Sequence, residues 1–162
     1  MHDTTVISAI QAIQAILAPA LGISAVGLLL LSLNNRYSSI INRIRLLNDE
    51  RRKFVRLIAE GSDLSYHDNA RYLSVVKQTE RLLARSRYVR NAILSLQVAI
   101  GLFVLTSAGI ALNIFVDASS IQLLPLILFI TGMISVLVGI IFAALEVQKS
   151  FSIVLIELKA EE

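Results

Sequence analysis

The sequence contains no cysteine and no tryptophan. Without cysteine there are no disulfides, no thiolate metal sites and no thiol nucleophile. Without tryptophan, any aromatic belt at a membrane surface falls to tyrosine. There are two prolines and seven glycines in 162 residues, so there are few points at which a helix must break. The two histidines, His2 and His67, have no partner at ligand spacing, and His67 reads as a solvated loop residue. No HExxH, GxxxxGK[ST], GxGxxG or GxSxG is present. The long apolar stretches hold no acid that could relay protons, and they show no inverted repeat of the transporter kind. These absences argue against an enzyme, with no catalytic residues, no metal and no cofactor expected.

Apolar residue blocks are abundant. They raise the apolar share to 56%, above the roughly 45–50% usual for soluble domains, and mean hydropathy is +0.72. Val6 to Leu33 runs for 28 residues without a charge, about 42 Å of helix against a hydrocarbon core of about 30 Å. Such a helix must tilt, kink or project, and Pro19 is the candidate kink. Charge is segregated. Residues 36–90 hold 13 of the 15 Lys and Arg against six acids, a surplus of seven. A basic segment between two spans follows the positive-inside rule, and nucleic acid is not expected as a partner.

Taken in order, residues 1–35 read as an outer N-terminus and first transmembrane helix. The polar start has no basic residue before the apolar run, so a retained rather than cleaved N-terminus is expected. Ser8, Gln11 and Gln14 recur every three residues as a narrow polar stripe, fitting either a headgroup-level helix end or a pore or partner-facing line. Ala18, Gly22 and Ala25 form a small-residue face. Residues 36–90 read as a basic cytoplasmic helical hairpin. Ile40, Ile44, Leu47, Phe54 and Ile58 mark its outgoing apolar stripe, in which Arg51 replaces an apolar residue. Glu60 to Asn69 reads as the turn, and Val75, Thr79, Leu82, Ser86, Val89 and Ile93 return at a step near 3.5, the coiled-coil interval. Arg36 and Tyr37 on the way out and Tyr88 and Arg90 on the way back place the same residue types at one depth.

Residues 91–116 read as the second transmembrane helix, 117–122 as an outer loop without a basic residue, and 123–145 as the third transmembrane helix. Gln97, Thr106, Ser107 and Asn113 are the polar points of the second. Ser135, Gly139 and Ala143, with Gly132 nearby, are a small-xxx-small packing signal in the third. Residues 146–162 read as a cytoplasmic C-terminal helix. Glu146, at its start, either pairs with a stalk arginine or lines an inner pore mouth. The fold expected is all-α integral membrane, three transmembrane helices with a long cytoplasmic antiparallel helical hairpin between the first and second.

The run GLLLLSLNNRYSSIINRIRLLNDERR, with IxxRIRxLNxE inside it, followed by a basic return helix and two more spans, resembles a family of small bacterial integral membrane proteins catalogued as domain of unknown function 2721. The resemblance covers about residues 5–150. It implies a bacterial inner-membrane protein with three spans and carries no activity or site residues.

Two functions fit the residues. One is a homo-oligomeric channel with Ser8, Gln11 and Gln14 lining the pore and Arg36, Tyr37, Arg43, Tyr88, Arg90 and Glu146 around a cytoplasmic vestibule or interface, whose positive charge favours anions among the ions passed. The other is a membrane scaffold or regulatory subunit whose hairpin docks an acidic protein partner or anionic lipid. In both the lipid bilayer is the first partner, the N-terminus is outside and the C-terminus is in the cytoplasm.

Overall fold

A computed structural model describes the backbone of residues 2–60, 66–115 and 123–159 and the side chains of 13–60, 66–113 and 123–148. Among the described residues the fold is three α-helices and no strands: α1 His2–Ala59, α2 Tyr66–Phe115 and α3 Leu124–Lys159. Each contains a stretch apolar enough to cross a membrane, with mean hydropathy of 2.3, 2.0 and 2.7 in the respective windows, and most of each window is exposed rather than buried. Apolar surface left open on that scale suits lipid as solvent.

Two helix boundaries differ from the sequence reading, and the candidate kink at Pro19 lies inside one continuous helix. α1 passes through Pro19 without a break, and Pro19 is fully buried, so neighbouring side chains surround the point where the helix lacks a donor. α2 begins at Tyr66 rather than near residue 70, bringing Tyr66 and His67 into its first turn with Asp68, an acid at the favourable end of the helix dipole. α3 continues through 146 to Lys159 as one element, because no Pro or Gly follows Gly139.

Burial repeats at seven-residue intervals. On α1 the buried line is Pro19, Val26, Leu33, Ile40 and Leu47; on α3 it is Pro125, Gly132, Gly139 and Glu146. α2 carries two lines, one through Val75, Ser86, Val89, Ile93, Leu96 and Phe103, the other through Ala92, Ala99 and Thr106. Seven residues are close to two helical turns, so each line stays on one face with only slow drift.

The chain divides into two compact units, residues 1–33 with 91–142 and residues 34–90 with 143–162. The first unit is organised around Phe103, which is 3% exposed. A Cβ placed on Gly22 of α1 lies 3.0 Å from Cε2 of this ring, and one placed on Gly132 of α3 lies 2.7 Å from Cε1. The ring thus fills space that only two glycines leave open. Phe129 packs beside it with centroids 5.5 Å apart. Further along, a Cβ on Gly139 would meet Leu96 Cδ2 at 2.9 Å, and one on Gly109 would meet Pro125 Cγ at 3.2 Å. Ser135 Oγ donates to the Ser95 carbonyl at 2.8 Å, tying α3 to α2. In the second unit, Phe54 of α1 and Tyr72 of α2 meet edge to face at 6.2 Å.

Because one ring sits against both glycines, Gly132→Val is expected to lower stability by about 1–3 kcal/mol through overpacking. Phe103→Leu in the same chain should recover part of that loss. Gly27→Ala, where nothing lies within 4 Å of the new Cβ, should be near neutral. Thermal unfolding of the purified variants in one detergent decides this. Equal melting points for Gly132→Val and Gly27→Ala would refute the packing.

Candidate functional site

The most unusual side chain is Glu146, an acid on the buried line of α3 with 1% of its side chain exposed. A carboxylate so placed is costly unless cations and hydrogen bonds surround it. Two arginines do so within the second unit. Arg36 of α1 brings Nη2 to 3.3 Å of Oε2, and Arg85 of α2 donates from Nε to Oε1. The arginines remain 42% and 36% exposed, so their stems cover the carboxylate while their outer nitrogens reach solvent. One acid thereby joins all three helices.

A second acid–base contact lies in the same unit. Arg71 of α2 makes a two-pronged bond to Glu50 of α1, Nε to Oε1 at 2.8 Å and Nη2 to Oε2 at 3.2 Å. The hydrogen bonds from Arg71 lower the Glu50 pKa from its ordinary value; slight desolvation opposes this, and the charges of Arg71, Lys53 and Arg43 reinforce it. Among the described residues no cluster of three metal-ligating side chains occurs.

The sequence model of one family, described as a protein of unknown function (DUF2721), matches residues 16–156. The chain belongs to this family. No curated protein and no solved structure matches it. The DUF2721 region encloses Arg36, Glu50, Arg71, Arg85 and Glu146, so both ion-paired groups lie inside it.

The other candidate residues of this DUF2721 chain are distributed more widely. Ser8 and Gln11 lie outside the residues whose side chains are described, while Gln14 is exposed on α1. Tyr37 and Tyr88 are half-buried, and Arg43 and Arg90 are exposed. Of the expected vestibule group, the structure brings Arg36 and Glu146 together. It adds Arg85 of α2, a residue not among the expected vestibule group. Its signal was available, since Arg85 precedes Ala92, Ala99 and Thr106 at seven-residue steps.

Apart from Ser135, which bonds across to α2, several polar side chains of the apolar segments bond within their own helix. Ser24, Thr106, Ser107 and Thr131 each donate to a carbonyl one turn back in their own helix, at 2.8–3.2 Å. Gln14 and Gln97 are exposed, and their amides have no hydrogen-bond partner among the described residues.

Two outcomes follow. Arg36→Gln with Arg85→Gln strands a buried carboxylate and is expected to cost about 3–5 kcal/mol. Glu146→Gln leaves two arginines that water already reaches and should cost less, and the triple variant should recover stability relative to the arginine pair. Chemical denaturation of the four proteins completes the cycle; additive losses would exclude coupling. For Glu50, a folded-state pKa below the unfolded one means the pair contributes stability above the ordinary carboxylate range and loses it as pH falls through the folded value. The difference in melting temperature between the native chain and Glu50→Gln should therefore shrink on acidification from pH 7 to pH 3, whereas a difference constant across that range would show that Arg71 does not act through the Glu50 charge.

Proposed function

We propose that this DUF2721 protein assembles as a homo-oligomeric membrane pore, with residues 36–90 forming a basic cytoplasmic hairpin. The observation that carries the reading is the exposed amide of Gln97. It lies about 9 Å along α2 from Asn91, within the apolar stretch, and it has no partner among the described residues. An amide facing hydrocarbon costs free energy, whereas a second polypeptide or a column of water removes that cost. One turn on, Gly101 is exposed with nothing within 4 Å of its Cβ position, an open surface that another helix can approach closely. Around Phe103 the first unit is filled by side chains, so any conducting path lies between copies and not inside one.

On this reading Gln14, continuing the stripe of Ser8 and Gln11, faces the path. Arg43 and Arg90 supply the positive charge of the inner mouth and favour anions. The contacts of Glu50 with Arg71 and of Phe54 with Tyr72 support the antiparallel pairing of the two stalk segments in the cytoplasm. Arg36 contributes less field than its position suggests, because Glu146 neutralises it. A scaffold role is the second reading, favoured by the exposed basic side chains of the stalk.

The decisive experiment measures anion flux into liposomes alongside the oligomeric mass of the same preparation. Flux from a defined oligomer, lowered several-fold by Gln14→Leu and shifted toward cations by Arg90→Glu, is the expected result. Gln97→Leu should reduce the oligomer. A stable monomer that passes no chloride, sodium or potassium under voltage would refute the pore and leave the scaffold.

A further inference from the structure

Three arginines of the second unit are held in ion pairs with acids of the same unit. Arg36 and Arg85 share Glu146, and Arg71 is paired with Glu50. Arg51, Arg52 and Arg56 have no ion pair among the described residues, although they stand within six residues of one another on α1. They line an open groove of about 310 Å³ together with Asn48 and Val55, and no carboxylate lines it.

The spacing explains the groove. Asn48, Arg52 and Arg56 succeed one another at four-residue steps, and Arg51 and Val55 form the adjacent row. Arg51 occupies the place at which the half-buried line Ile16, Ile23, Leu30, Tyr37 and Ile44 would continue. There it is exposed, so the apolar line ends in a guanidinium. Arginines four apart repel one another, and an anion between them converts that repulsion into attraction. Each guanidinium offers parallel N–H donors that match two oxygens of a phosphoryl group, and the Asn48 amide adds a neutral donor.

We propose that Asn48, Arg51, Arg52 and Arg56 form a binding site for a small anion bearing one or two phosphoryl groups. The site is independent of the pore reading and stands equally on a scaffold. Its occupant is either a soluble phosphorylated compound or the headgroup of an anionic lipid, and both present the same oxygens.

The test is calorimetric titration of the full-length protein, in nanodiscs of zwitterionic lipid, with inorganic pyrophosphate. Saturable binding of one ligand per protomer is expected. Arg52→Gln with Arg56→Gln should weaken it at least ten-fold at fixed salt. The single variant Arg51→Gln should also weaken it, and both variants carry exposed substitutions whose folding is checked by their melting points. Lys53→Gln removes a positive charge beside the groove without lining it and should change affinity less than two-fold. Absence of saturable binding would overturn the proposal, as would equal weakening by Lys53→Gln, which would reduce the effect to diffuse charge. Repeating the titration in nanodiscs containing phosphatidylglycerol identifies the source. Weaker pyrophosphate binding in the native chain, with no such change in the residual binding of Arg52→Gln/Arg56→Gln, assigns the groove to a lipid headgroup. Unchanged binding assigns it to a soluble ligand.

Discussion

The arrangement of the second unit depends on one buried carboxylate. Glu146 lies on the inner line of α3, where its predecessors at seven-residue steps are Gly139, Gly132 and Pro125. An apolar residue there would let the helices slide, because van der Waals contact is nearly degenerate along a stripe. A carboxylate removes that degeneracy, since displacing it by one turn leaves it without Arg36 or Arg85. Buried ion pairs contribute little net stability compared with apolar packing, and register is their best-attested use. Here the register of three helices is set by one acid and two bases drawn from three separate elements.

In the first unit shape does the corresponding work. Lipid tails are as apolar as leucine, so burying leucine against leucine gives little drive for helix association, and close packing must supply it. The ring of Phe103 against Gly22 and Gly132 is such a packing solution: one large side chain matched to two missing ones, on three helices. The hydroxyls of Thr106, Ser107 and Thr131 return to their own backbones, so they add no demand for partners. Ser135 is the exception, and its bond to the Ser95 carbonyl fixes α3 on α2 where the glycines allow close approach.

Much of the fold was legible because helix breakers are scarce. With two prolines and seven glycines, the apolar blocks and the basic stripes could be joined into long helices by eye. The errors fell where a boundary was inferred from polarity rather than from backbone chemistry. Residues 123–145 and 146–162 read as two separate helices, yet charge alone does not end a helix, and α3 passes through Glu146 as one element. Likewise Tyr66 and His67 looked like turn residues in a polar segment and are helical. The candidate site was only half legible. Pairing of Glu146 with an arginine could be weighed from the sequence, but the choice of Arg85 required knowing that the face of α2 marked by Ala92, Ala99 and Thr106 turns inward. The role of Phe103 was hidden for the opposite reason, since a phenylalanine in an apolar run carries no periodic signal of its own.

On the proposed topology, the positive-inside rule accounts for the amount of basic charge more readily than for its placement. Its force is exerted within about 15–20 residues of a membrane boundary. Counted from Leu33, Arg36, Arg43 and Arg45 fall well inside that limit, whereas Arg51 begins at its edge and Arg56 lies beyond it, about 35 Å along the helix axis. Charge placed there does little for topology. It also does little for the register of the helices, because it pairs with no acid, and it interrupts an apolar stripe that the neighbouring turns maintain. On the proposed anion site, a bound phosphoryl group offsets the repulsion that this placement creates.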